Sequence, residues 1–123
     1  MCVVMNKKLL ICDDDIDIVE MLEIVLDDRG LDIITETDSK RALELISSIK
    51  PDLVLMDLWM PVISGDQILK DMRKDEKLSA IPVVIMSAAQ DGKEVAFKAG
   101  ANGYIPKPFD IDMLMLKVNE FIS

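Results

Sequence analysis

Histidine is absent from the 123 residues. That removes Ser-His-Asp triads, Cys-His pairs and His-based metal sites together. Cysteine is nearly as scarce: Cys2 and Cys12 are too few for a disulfide framework. Cys12 lies in an apolar run and reads as a small buried hydrophobe, and unbridged thiols fit a reducing compartment. Aromatic residues make up only 4%, so any core must be assembled from Ile, Leu, Val and nine Met. No apolar run approaches the roughly 20 residues that span a bilayer. The opening Met1-Cys2-Val3-Val4-Met5 lacks the basic stretch and long apolar segment of a signal peptide. Positive charge is also short: 14 Lys plus Arg against 23 Asp plus Glu leaves a net charge of −9. Such a surface has no basic footprint for a phosphate backbone. The expectation is a soluble cytoplasmic protein with no membrane and no direct nucleic-acid partner.

Half of the residues are apolar, and the length suits one domain over residues 1–123, with residues 1–6 expected as a flexible tail. Short apolar runs alternate with amphipathic segments. Strands are expected at Lys8–Cys12, Leu31–Thr35, Leu53–Met56, Pro82–Met86 and Gly103–Ile105. Helices are expected at Asp17–Asp28, Ser39–Ile49, Gly65–Lys74, Glu94–Ala99 and from an Asp110 cap to Phe121. Ser39 is read as the cap of the second helix, with Pro51 ending it. Asp32 suggests that the second strand is an edge. Five alternating βα units predict a parallel sheet covered on both faces, a doubly wound α/β fold.

In such a sheet, ligands bind beyond the carboxyl ends of the strands. The first strand is followed there by Asp13, Asp14 and Asp15. The third ends in Asp57, the fourth in Ser87, and Lys107 follows the fifth. Asp15 reads best as a helix cap. Like charges about 4 Å apart cost on the order of 4 kcal/mol at an effective dielectric near 20. Either one carboxyl holds a proton or a cation neutralises the group. Oxygen ligands without His or Cys favour a hard cation, Mg²⁺ or Mn²⁺. With Ser87 as a donor and Lys107 as a positive charge, the set is suited to phosphoryl transfer, and a carboxylate can be the nucleophile. The run Asp13-Asp14-Asp15-Ile16-Asp17 imitates the start of a calcium-binding EF-hand loop. It fails where that loop needs Gly, at Ile18, and Glu, at Ile24.

The chain resembles the receiver domains of two-component response regulators, the chemotaxis regulator among them, from about Lys7 to Phe121. The pieces that carry the likeness are Leu9 to Asp15, Pro51 to Asp57, Met60-Pro61 with Gly65, Pro82 to Ala88, Ala99-Gly100-Ala101 and Lys107-Pro108-Phe109. The resemblance implies a flavodoxin-like (βα)5 sandwich with strand order 2-1-3-4-5. It implies that Asp57 accepts a phosphoryl group from a histidine kinase or a histidine phosphotransfer protein. Asp13, Asp14, Asp57 and the Trp59 backbone carbonyl would hold Mg²⁺, for which Mn²⁺ can substitute. Asp14 would be the direct ligand and Asp13 would act through water. Ser87 and Lys107 would contact the phosphoryl group, Tyr104 would act as an aromatic switch with Ser87, and the Lys107–Pro108 bond would be cis. Trp59 departs from the family pattern by its bulk. The segment from Ser87 to Lys107 looks short, which falls on the fourth helix.

Two surfaces suggest partners. The first helix is apolar over more than a core stripe, with Val19, Leu22 and Leu26 expected inside and Ile18 and Met21 edging a docking patch. In the last helix, Ile111, Leu114, Met115 and Val118 are expected to face the core, while Met113 and Leu116 point elsewhere, towards a phosphorylation-dependent homodimer or another partner. A downstream effector protein or an output domain would read the signal. The chain is expected to be a stand-alone receiver or part of a longer regulator. Two other classes stay open: a haloacid-dehalogenase-like phosphatase with Asp13 as nucleophile, and a degenerate receiver that only binds partners.

Overall fold

The computed structural model describes residues 7–27 and 30–122. The expected tail at 1–6, Cys2 and the predicted helix end at Asp28 lie outside the described residues. In chain order the elements are β1 (Lys8–Cys12), α1 (Ile16–Leu26), β2 (Asp32–Glu36), α2 (Ser39–Ile49), β3 (Leu53–Asp57), α3 (Gly65–Lys74), β4 (Val83–Ser87), α4 (Gly92–Ala99), β5 (Gly103–Pro106) and α5 (Ile111–Ile122). The five strands form one sheet in the order β2-β1-β3-β4-β5. Every neighbouring pair is parallel.

Side chains alternate across a strand, and the alternation builds two cores. Leu10, Cys12, Val54, Met56, Val83 and Ile85 face one way, onto Ala42 and Ile46 of α2, Ile68, Leu69 and Met72 of α3, and Ala96 and Ala99 of α4. Leu9, Ile11, Leu53, Leu55, Val84, Met86 and Ile105 face the other way, onto Val19, Leu22 and Leu26 of α1 and Leu114 and Val118 of α5. β3 and β4 are buried at every position because helices cover both of their faces. β2 lies at an edge with Asp32 exposed, as its composition suggested.

Several expected ends move by a residue or two, for local reasons. β2, β3, β4 and β5 each run one residue further, to Glu36, Asp57, Ser87 and Pro106, because parallel pairing continues to those positions. α4 starts at Gly92 rather than Glu94, and at 8 residues it is the shortest described helix. The cap of α2 is Asp38, not Ser39: the Asp38 carboxylate accepts the Lys40 N–H at 3.0 Å. α2 ends because Lys50 turns left-handed at φ 46, one residue before Pro51. Asp15 does cap α1, accepting the Asp17 N–H at 3.0 Å. Asp110 accepts the N–H groups of Asp112 and Met113 at the start of α5. Ile111, at the first position of α5, is 39% exposed rather than part of the core stripe.

Candidate functional site

Parallel strands present their carboxyl ends on one edge, and β1, β3, β4 and β5 deliver the polar residues there. Asp13 follows β1 and is fully buried; Asp57 closes β3 and is 6% exposed. Lys107 follows β5 and donates from Nζ to Asp13 Oδ2 at 2.8 Å and to Asp57 Oδ1 at 3.0 Å. The other oxygen of Asp13, Oδ1, accepts the Asp15 N–H at 3.0 Å. Asp14 is exposed at the rim. Asp13, Asp14 and Asp57 each bring a carboxylate oxygen within 4.8 Å of the others. Lys107 pairs with two of these three acids, leaving an excess of negative charge that suits a hard cation. Burial pushes Asp57 from the ordinary 3.8 up to about 6; the Lys107 hydrogen bond opposes the rise, and the charges of Asp13 and Asp14 add to it. Burial alone would lower the Lys107 pKa, but its hydrogen bonds to Asp13 and Asp57 and their charges raise it. The Cys12 thiol is pushed up to about 12 by burial and by the charges of Glu36 and Asp13, so it stays an inert thiol within the core.

Ser87 is buried at the end of β4. Its Oγ accepts the Ala89 N–H at 3.0 Å. Its carbonyl accepts both the Tyr104 hydroxyl at 3.0 Å and the Lys107 N–H at 2.9 Å. Ser87 thus ties β5 and the lysine to β4, and half-buried Tyr104 is linked to the site through it. Gly92 makes this junction possible. A Cβ there would lie 2.7 Å from Tyr104 Oη and 2.8 Å from Ser87 Oγ. The Lys107–Pro108 peptide is cis.

The loop from Asp57 to α3 is closed by the Gly65 N–H donating to the Leu58 carbonyl at 2.7 Å. A Cβ at Gly65 would lie 2.2 Å from the Asp57 carbonyl oxygen, so this close approach requires glycine. Within the loop Trp59 is 53% exposed and Met60 is buried.

The two expected surfaces differ in exposure. Ile18 and Met21 are half-buried and pack against the α1–α5 core. The apolar residues of α1 that stand out are Ile16 and Ile24, at 60% and 77% exposure. The exposed apolar positions of α1 therefore lie two residues before Ile18 and three after Met21. Met113 and Leu116 are exposed, at 49% and 66%. They line a shallow groove with Lys117 and Glu120. Met113 and Lys117 also border a second groove with Lys93, Phe97, Tyr104 and Pro106.

Sequence reasoning missed three residues. Ser39 is a cap by residue type, yet its hydroxyl reaches the β3–α3 loop. Gly92 is marked by no motif. Arg73 belongs to no motif; it donates to the carbonyls of Gly100, Ser79 and Ile81 and to Asn102 Oδ1, tying α3 to the end of α4 and to the loops that precede β4 and β5. A lone arginine on a charged stretch carries no local signal of such a role.

Comparisons with known proteins agree with this geometry. The profile of the response regulator receiver domain matches residues 9–119. The chain is 36% identical over 116 residues to the DNA-binding response regulator MtrA of Mycolicibacterium paratuberculosis, covering 93% of this chain and 50% of MtrA. It thus spans about half the length of the curated relatives it matches. Among solved structures, the receiver domain of the Francisella response regulator 1452 is similar with a TM-score of 0.85 at 34% identity, covering 95% of this chain and 97% of that one. The chemotaxis response regulator CheY4 of Vibrio cholerae has a TM-score of 0.87 at 26% identity, covering 95% and 99%.

Proposed function

This chain belongs to the response regulator receiver domains of two-component systems, and from that premise we propose that Asp57 is its phospho-acceptor. The observation that carries the assignment is the buried Asp57 carboxylate, held by Lys107 and gathered with Asp13 and Asp14. An Asp57 oxygen attacks phosphorus as the P–N bond of a phosphohistidine, or the P–O bond of a small acyl phosphate, breaks. The electron pair leaves with the imidazole nitrogen or the acyl oxygen. Lys107 sits between Asp13 and Asp57 and faces the incoming phosphoryl oxygens as a fixed positive charge. The Ser87 hydroxyl donates to another of those oxygens, and the drawn-in Ser87 draws Tyr104 after it. Slow hydrolysis of the acyl phosphate resets the domain.

Asp14, Asp57 and the Trp59 carbonyl would hold a directly bound Mg²⁺, and Mn²⁺ would suit the same oxygen donors. Both oxygens of Asp13 are engaged, by Asp15 and Lys107, which supports a role for Asp13 through water. The bound ion would supply charge neutralisation on the transferring phosphoryl group.

The phosphodonor partner is a histidine kinase or a phosphotransfer protein. The phosphorylated domain signals to an effector protein or an output domain, and a phosphorylation-dependent homodimer through Met113 and Leu116 is one form that output can take. Residues 1–123 act as a single domain in the cytoplasm. Among the described residues no helix is long and apolar enough to cross a membrane.

Intact mass after incubation with acetyl phosphate and MgCl2 tests the assignment. The wild type gains one phosphoryl group, and the gain disappears with Asp57→Asn or with chelator. An adduct that survives Asp57→Asn refutes the choice of nucleophile and would point to Asp13, as in the phosphatase class. No adduct in the wild type favours a binding-only module.

A further inference from the structure

The turn three residues past Trp59 is strained. Val62 holds φ 74, a left-handed conformation that β-branched residues avoid. Pro61, Val62 and Ile63 form a three-residue turn closed by the Ile63 N–H to the Pro61 carbonyl at 2.9 Å. This is the positive-φ γ-turn, the rarer and more strained of its two hands. Val62 is 78% exposed, so burial of its side chain does not compensate. Strain of this kind persists only where the surroundings hold it.

What holds it is Ser39. Its hydroxyl donates to the Pro61 carbonyl at 2.5 Å and accepts the Ile63 N–H at 3.2 Å. One side chain, 5% exposed at the start of α2, grips both ends of the turn from 22 and 24 positions away in sequence. At its other end the loop is pinned by the Gly65 N–H on the Leu58 carbonyl. Only Trp59 and Met60 lie between Leu58 and Pro61, and Met60 is buried. The two anchors therefore fix the peptide planes between them, including the Trp59 carbonyl.

We propose that Ser39 is a positioning residue for the divalent-cation site, holding the strained Pro61–Ile63 turn so that the Trp59 carbonyl is aimed as a ligand. This rests on reading Asp13, Asp14, Asp57 and Trp59 as that site. Ser39 touches neither the cation nor the phosphoryl group; it acts through the loop. Losing the hydroxyl lets Val62 relax to negative φ, which swings the peptide planes upstream of it. A glycine at position 62 takes φ 74 without penalty, so the turn then needs no brace.

Titration of the metal-free protein with MgCl2, read by the fluorescence of the single tryptophan, Trp59, tests this. Ser39→Ala raises the Mg²⁺ dissociation constant about five- to tenfold. Amide exchange at Ile63, measured without metal, quickens by about the same factor. Val62→Gly alone leaves affinity within about twofold, and Ser39→Ala with Val62→Gly recovers most of the loss. A merely structural role for Ser39 would lower the urea midpoint and leave the affinity of the folded protein unchanged. Wild-type affinity in Ser39→Ala, or a loss that persists undiminished with Val62→Gly, overturns the proposal. Asp14→Asn isolates the premise: if it titrates like the wild type, the cation reading falls and the role of Ser39 in it falls too.

Discussion

Replacing Asp57 by Asn should stabilise the metal-free protein while abolishing phosphoryl uptake. The carboxylate is held against its preference. Burial is the main cause of its rise from 3.8 to about 6, and the negative charges of Asp13 and Asp14 reinforce it. At about 1.4 kcal/mol for each tenfold change in the proton equilibrium, that rise corresponds to a ceiling of about 3 kcal/mol. The amide keeps the shape and can still accept from Lys107, but it gives up the charge-assisted part of that bond, now 3.0 Å long. A net gain of about 1–2 kcal/mol at pH 7 follows, or roughly 4–8 °C in Tm for a domain of this size. Between pH 3.8 and about 6 the folded protein keeps a proton on Asp57 that the unfolded chain has released. Wild-type stability from this group therefore falls as pH rises through that window and stays level above it. The advantage of Asp57→Asn should be full above pH 6 and gone below about pH 4. Mg²⁺ at ten times its dissociation constant should return about 1.4 kcal/mol to the wild type and close most of the gap. Urea midpoints of both proteins across pH 3.5–8, with chelator and then with Mg²⁺, measure all of this. A variant no more stable than wild type at pH 7, or an advantage that does not shrink on acidification, refutes the reasoning.

Gly92→Ala should leave the fold standing but displace Ser87 Oγ and Tyr104 Oη, which a Cβ would approach to 2.8 and 2.7 Å. Phosphorylation by acetyl phosphate, followed by Trp59 fluorescence, should slow at least about tenfold; an unchanged rate would show that this junction yields without effect on chemistry. Arg73→Ala should cost about 2–3 kcal/mol by urea unfolding, because it strips the donor from three carbonyls and from Asn102. Its phosphorylation at low temperature should remain close to wild type, and a stability loss under 0.5 kcal/mol would mean water replaces the guanidinium.

Much of this protein is legible in one dimension because its signals are local and repeated. Leu9 to Cys12, Leu53 to Met56 and Val83 to Met86 are short apolar runs between amphipathic helices, and that alternation admits few topologies besides a parallel sheet wound on both faces. Chain direction then places Asp13, Asp57, Ser87 and Lys107 on one edge. The expectations that missed did so where two segments far apart in sequence meet. Ser39 and Asp38 are equally good caps by type, and the choice turned on Pro61 and Ile63 needing the serine. Ile18 and Met21, expected to edge a docking patch, are half-buried beside the α1–α5 core, and packing leaves Ile16 and Ile24 as the more exposed apolar positions of α1.

Composition and order alone excluded histidine chemistry, set the net charge, made the core aliphatic and marked an acidic edge suited to a hard cation. Those conclusions depend only on residue type and on the period of the chain. Tertiary structure decided the rest: that Lys107 reaches both Asp13 and Asp57, that Asp57 is buried enough to hold its proton to about pH 6, and that a serine on α2 braces a strained valine beside the site. The contacts among these are distances of a few ångströms between residues 22 to 94 positions apart, and both they and the burial of Asp57 exist only once packing has brought the segments together.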